Sequence, residues 1–250
     1  MTSIYNTAGK KCIVYADEQP QVLLIQPVGE HENETLDTEI DAIREAVNMT
    51  FVFAGVPISD WEKELTPWTD TNVSKRKEVG EHAFDTLDFI TEQLMPHLFE
   101  RFGKLPVVLG GYSLAGLFAR WAASKAECFD AVAAASPSLW ITSWQEFSDT
   151  HPVFARYVYL SLGDREEKTK NRAIAQVGDN IRWEYEHLQR TIGADYCTLV
   201  REQGGHFTTP HIRLARAFAW CVNRVKVKNS SKYRNKIVYS LSVSICKQKN

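Results

Sequence analysis

Ser113 stands in the segment Gly110-Gly111-Tyr112-Ser113-Leu114-Ala115-Gly116. Gly111, Ser113 and Ala115 follow the small-x-Ser-x-small spacing of a strand that turns sharply into a helix with a serine at the tip. A serine held there exposes its hydroxyl, and an activated hydroxyl can attack a carbonyl carbon. The flanking positions must be small because strand and helix approach each other at the turn. Alanine meets that demand; valine or leucine would not. The bare pattern arises by chance in roughly one chain in ten of ordinary composition, so its context decides. An apolar strand, Leu105 to Leu109 (LPVVL), precedes it, and an apolar helix-forming run, Leu114 to Ala123, follows it.

A serine hydroxyl is a weak nucleophile near neutral pH and needs a base. In this architecture the chain order is serine, acid, histidine. His151, His187, His206 and His211 follow Ser113. His206 lies in Gly204-Gly205-His206-Phe207, after the last core strand and before the last helix, where a base must sit. His187 falls on a helix, His211 in the first turn of another, and His151 in a connecting segment; all three suit packing or the surface. The acid is expected just beyond the strand Arg156 to Leu162, at Asp164. Glu166 and Glu167 are near enough to be rivals, and a plain Gly-Asp turn is the structural alternative. The oxyanion needs two backbone N–H groups. One is expected from Leu114, the other from Val28 or Gly29 after the strand that ends at Pro27. Trp61, Trp68, Tyr112, Trp140 and Trp144 fall in loops expected above the sheet, where they line a substrate pocket or pack those loops down.

The elements that must position these residues alternate along the chain. Gln21 to Val28 reads as a buried strand. Leu36, Ile40, Ile43 and Val47 mark one face of a helix. Thr50 to Val56 is the next strand, followed by a polar loop, Pro57 to Lys75. Ala83, Leu87, Ile90 and Leu94 mark a helix that Pro96 kinks or ends. Ala131 to Ala135 and Arg156 to Leu162 are strands. Ile174, Val177, Ile181, Tyr185 and Leu188 line a helix, and Asp195 to Val200 is the last core strand. Ile212, Ala215, Phe218, Ala219 and Val222 form the final helix, with Thr209 as N-cap and Pro210 at N1. Strands without in/out alternation fit a sheet covered on both faces. The expected fold is therefore α/β: a mostly parallel, doubly wound sheet, with an antiparallel start at Cys12 to Tyr15 left open. The segment between Ala135 and Arg156 is short, so any lid is small and helical.

The whole chain sets limits. It has 250 residues, 44% hydrophobic, with net charge -2. That length accommodates one domain, expected over 1–224. The near-neutral balance gives no general attraction to nucleic acid or anionic lipid. Five cysteines without CxxC spacing speak against a disulfide framework or structural zinc. Met1 to Lys11 has no apolar core of a signal peptide, so a cytoplasmic protein is expected, and no stretch suits a membrane span. Glu30-His31-Glu32-Asn33-Glu34 is one consecutive run rather than a set spaced for a helix face, so a solvated loop is expected and no metal. From Arg224 to Asn250 there are eight Lys or Arg and no acid. Ile237, Tyr239, Leu241, Val243 and Ile245 alternate there, so residues 225–250 are expected to be an added edge strand or a poorly ordered terminus. That strand could pair with a second copy, so a homo-oligomer stays open.

The turn around Ser113, the run SLGDREEKTKN at Ser161 to Asn171, and Gly-Gly-His-Phe at 204–207 together resemble the bacterial putative-esterase family, which includes esterase D and enterochelin-esterase-like proteins. The resemblance spans roughly Val22 to Val222. It implies the α/β-hydrolase fold and hydrolysis of a small-molecule ester without a cofactor, with Ser113, Asp164 and His206 as nucleophile, acid and base. Two positions depart from the family pattern: Ala115 replaces the last glycine, and Gln26-Pro27 replaces the usual His-Gly near the oxyanion. An acyltransferase would use the same residues with an alcohol or sugar in place of water. A binding protein on this fold would have lost the activity. The sequence leaves the first open, while Ser113, Asp164 and His206 at the expected stations argue against the second.

Overall fold

The computed structural model describes residues 2–7, 9–29, 35–74, 79–80 and 82–225. The basic extension beyond Val225 and the acidic stretch at 30–34 lie outside the described residues.

Among the described residues, eight strands form one sheet: β1 (Thr2–Thr7), β2 (Lys10–Ala16), β3 (Val22–Gly29), β4 (Phe51–Ile58), β5 (Val107–Tyr112), β6 (Ala131–Ala135), β7 (Tyr157–Gly163) and β8 (Cys197–Glu202). Their spatial order is β1-β2-β4-β3-β5-β6-β7-β8. From β4 to β8 neighbours run parallel; β1 and β2 enter antiparallel. The antiparallel start is thus longer than Cys12 to Tyr15. Gly9, at φ +79°, lies in the turn that reverses β1 into β2.

Both faces are covered, which is why every residue of β3, β6 and β7 is buried. Helices α1 (Leu36–Ala46) and α9 (Pro210–Val225) pack on one face over Leu24, Phe53, Ala133 and Tyr159. On the other face lie α3 (Ala83–Asp88), α4 (Met95–Phe102), α5 (Leu114–Ala122), α6 (Trp144–Thr150) and α8 (Val177–Thr191), over Leu23, Leu109, Val132 and Leu160. Two short helices, α2 (Trp61–Leu65) and α7 (Arg172–Ala175), sit in connections. Between β6 and β7 there is one helix of seven residues, α6, consistent with a small cap. No helix of the described residues is long and apolar enough to cross a membrane.

Three elements differ from the sequence expectation. Pro96 does not end its helix: a π-helical segment, Phe89–Leu94, joins α3 to α4, with Met95 N–H donating to the Ile90 carbonyl. Proline offers no N–H to the preceding turn, and a wider turn absorbs the mismatch. The helix expected from Ile174 is split at Gln176 into α7 and α8. In α9 the buried stripe runs through Leu214, Phe218, Cys221 and Val225 and includes Arg213, while Ile212 and Ala219 are half-buried.

Candidate active site

β5 ends at Tyr112 and α5 begins at Leu114, so Ser113 is the whole of the turn between them. Its backbone has φ +58° and ψ −118°. Such a conformation costs a non-glycine residue on the order of 1–3 kcal/mol and needs support around it. Here the Ser113 N–H donates to the Ala135 carbonyl at 3.1 Å, and the Ser113 carbonyl accepts from Ser138 N–H at 3.1 Å and Leu117 N–H at 3.0 Å. The small neighbours are sterically required. A Cβ on Gly111 would stand 2.4 Å from the carbonyl carbon of Ala115 and 2.6 Å from its Cβ.

His206 is carried by the loop between β8 and α9. Its Nε2 lies 2.9 Å from Ser113 Oγ, and its Nδ1 lies 2.9 Å from Glu166 Oε2. The structure therefore brings Ser113 and His206 together, but the carboxylate on the imidazole is Glu166 and not Asp164. The reason is local. Glu166 N–H donates to the Gly163 carbonyl at 3.2 Å, which turns the chain back and sends the Glu166 side chain beneath His206. Asp164 instead accepts the Gly204 N–H at 2.7 Å and braces the loop that carries His206. Glu167 faces away and pairs with Arg182 at 2.7 Å.

Glu166 is buried, with 6% of its surface exposed. Burial alone would push its carboxyl up. Hydrogen bonding and charge from His206, the Ser136 hydroxyl and the Gly163 N–H outweigh that, and the carboxyl lies below the usual range. Its Oε1 accepts from Gly163 N–H at 2.8 Å, Ser136 Oγ at 2.8 Å and Arg213 Nη1 at 2.7 Å. Arg213 also donates through Nη2 to the carbonyls of Gln203 and Gly205, both at 3.0 Å. Tyr112 Oη accepts from Arg213 at 3.1 Å and donates to the His206 carbonyl at 2.6 Å. Burial raises the Tyr112 phenol above its ordinary value, so it keeps the proton it donates.

Two clefts of about 340 Å³ each meet at Ser113, His206 and Phe207. Trp61 and Tyr112 line the first, together with Gln26 and Glu39. Trp140 lines the second, together with Ser138, Arg165 and Lys168. Trp144 and Trp68 line neither. Trp144 is 1% exposed and donates Nε1 to the buried Glu184 at 2.9 Å, with Trp68 stacked on it at 6.4 Å between centroids. They hold the cap down. Leu114 opens α5 beside Ser113, and the Val28 side chain is buried against the α1–α9 layer. Of the other histidines, His211 lines the first cleft, His187 stacks on Trp183, and His151 stacks on Phe147. Among the described residues no group of three or more His, Cys, Asp or Glu is placed to hold a metal ion.

Sequence reasoning missed Ser136, Ser138 and Arg213. Ser136 and Ser138 directly follow the strand Ala131 to Ala135, beside the Ser113 turn. Ser138 Oγ lies 3.2 Å from Ser113 Oγ. Arg213 left one signal: a cation inside the apolar face of the last helix.

Residues 26–211 match the model of the family described as putative esterases. No curated protein matches the sequence. Among solved structures, an IroE-like serine hydrolase from Shewanella oneidensis superposes with TM-score 0.69 at 14% identity, over 88% of this chain and 79% of that one. The siderophore hydrolase EstA from Aspergillus nidulans gives TM-score 0.68 at 22% identity, over 89% of this chain and 94% of that one. The enterobactin esterase FES from Shigella flexneri gives TM-score 0.63 at 16% identity, over 90% of this chain and 59% of that one. At these identities the likeness establishes the fold, which is that of α/β-hydrolase-like esterases.

Proposed function

The chain belongs to the putative esterase family, and from that premise we propose that it hydrolyses a carboxylic ester of a small molecule through Ser113, His206 and Glu166, by way of an acyl-enzyme. The observation that carries this reading is the continuous path from Ser113 Oγ to His206 Nε2 and from His206 Nδ1 to Glu166 Oε2, each step 2.9 Å. Those are hydrogen-bond distances, and they run in the order a nucleophile, a base and an orienting acid require.

His206 Nε2 takes the proton of Ser113 Oγ as the oxygen attacks the ester carbonyl carbon. The carbonyl oxygen becomes an oxyanion, for which this reading takes the first-turn N–H of Leu114 as one donor and an N–H at Val28 as the other. The C–O bond to the alcohol then breaks, and the alcohol leaves with the proton from His206. Water next gives a proton to His206 and attacks the acyl carbon. The acid departs, and Ser113 recovers its proton. Glu166 stays ionised throughout, fixes the imidazole tautomer with Nδ1–H, and stabilises the imidazolium. No cofactor enters any step.

Two measurements test the reading together. A fluorophosphonate probe should add its mass to Ser113 in the folded protein, and Ser113→Ala should lower kcat on short-chain aryl esters by about 10³-fold or more. Ordinary turnover by purified Ser113→Ala protein would overturn it.

A further inference from the structure

Gln26 has 4% of its surface exposed, and its Oε1 is buried without a hydrogen-bond partner. A buried amide oxygen that accepts nothing has lost its hydration without replacement, and native proteins hold few such atoms. Its strand position sets its direction. Leu24 and Val28, two residues to either side on β3, pack into the α1–α9 layer. Side chains two apart on a strand share a face. Gln26 therefore leaves the sheet on that side, where it lines the first cleft with Glu39, Ser113 and His211. Packing alone would place an aliphatic residue between Leu24 and Val28. An amide there makes sense if something enters the cleft to bond it.

We propose that Gln26 is a specificity-determining residue whose amide binds a hydroxyl of the substrate, so that the natural ester is that of a hydroxy acid or a polyol. The inference rests on Ser113 being the nucleophile: the ester carbonyl sits at Ser113 while the hydroxyl reaches into the first cleft. The chemistry of the lining selects the group. Gln26 Oε1 is an acceptor and needs a donor. Glu39 adds a carboxylate to the same cleft, which repels an anionic substituent and also accepts from a donor. The remaining wall includes Trp61, Pro210 and Leu214. Against those apolar surfaces an ammonium loses far more hydration than a neutral hydroxyl does. A site built to bond a substrate hydroxyl rejects the analogue lacking it, because the buried acceptor is then left empty.

The test compares matched esters in the full-length protein: 4-nitrophenyl butyrate against 4-nitrophenyl 3-hydroxybutyrate, and butyl butyrate against glycerol monobutyrate. The pairs place the hydroxyl on the acyl or on the alcohol side. In the wild type, the hydroxylated member of at least one pair should show kcat/KM about tenfold or more above its partner. In Gln26→Leu that ratio should fall to about one, and the melting temperature should stay level or rise, because an unpaired buried amide has been removed. Gln26→Met serves as a second variant of similar length. Equal kcat/KM within both pairs in the wild type, or a ratio that survives both substitutions, overturns the proposal. Absence of fluorophosphonate label on Ser113 would instead overturn the hydrolase reading beneath it, so the two failures are distinct.

Discussion

Arg213 donates through Nη1 to Glu166 Oε1 at 2.7 Å, on the carboxylate oxygen that His206 does not use. One guanidinium thereby holds the Glu166 carboxylate while its other nitrogen grips the Gln203 and Gly205 carbonyls on the loop that carries His206. Both residues are almost completely buried, with side-chain exposures of 1% and 2%. Arginine suits the task because its planar fork donates to several acceptors in fixed directions and does not lose its proton. The relative position of His206 and Glu166 is thus set by this side chain as well as by the backbone.

If Glu166 orients His206, its charge and not its bulk is what matters. Glu166→Gln should lower kcat by about 10²- to 10⁴-fold with little change in KM. Asp164→Asn keeps an oxygen for the Gly204 N–H and should cost less than about tenfold. Steady-state kinetics on one aryl ester, with both variants side by side, decides the matter. A larger loss in Asp164→Asn than in Glu166→Gln would return the acid to the residue that chain position alone suggests.

The same carboxylate should write itself into stability at low pH. Its folded carboxyl lies below the ordinary range, so the folded state releases this proton more readily than the unfolded chain, whose glutamates titrate near about 4.3. The stabilisation is fully present above that unfolded value. It is lost as pH falls through the lower folded value. Urea unfolding from pH 7 downward should show the gap between wild type and Glu166→Gln constant to about pH 4.3 and narrowing below it. A gap that widens in acid would mean that the carboxyl is raised, not lowered.

Arg213→Met removes the cation while filling much of its space. It leaves a buried carboxylate without the guanidinium that meets it at 2.7 Å, which typically costs about 3–5 kcal/mol. Glu166→Gln in the same chain removes the stranded charge, so the double variant should be more stable than Arg213→Met alone. Thermal unfolding of the three variants measures the coupling. Additive losses would show that the two side chains do not act as a unit.

The fold was largely legible because its signals are short-range. Buried runs such as Val22 to Val28 and Ala131 to Ala135, alternating with helix-period segments, specify a covered parallel sheet wherever they occur. Ser113 was legible for a related reason: the turn demands small residues at fixed spacing, and Gly111 and Ala115 meet that demand within five positions. His206 followed from its place after the last strand. The acid is a different problem. Asp164, Glu166 and Glu167 all follow the same strand, and which one meets the imidazole depends on a hydrogen bond between Glu166 and Gly163 that no composition or period encodes. Arg213 was hidden for the opposite reason. Helix patterning treats a charge as an outward mark, and its partner is 47 residues away in sequence. Trp144 misled in the same manner, since its indole N–H answers to Glu184 on a distant helix.

Phe207 offers a prediction about binding that is separable from the chemistry. It follows His206, lines both clefts, and has 90% of its surface in solvent. A phenyl ring that exposed contributes almost nothing to the core, so Phe207→Ala should leave stability within about 0.5 kcal/mol. A substrate seated at Ser113 would cover part of the ring. Recovering one to two kcal/mol from that burial is typical of a partly covered aromatic side chain, roughly a five- to thirtyfold change in affinity. Phe207→Ala should therefore raise KM about tenfold for esters with apolar chains, while kcat moves less than about threefold, because the Ser113–His206–Glu166 path is untouched. Kinetics across a series of acyl lengths provides the check, and the effect should grow with chain length. An unchanged KM across that series would place the substrate away from the ring, and a fall in kcat alone would tie Phe207 to the positioning of His206, whose ring it meets edge-on at 5.2 Å.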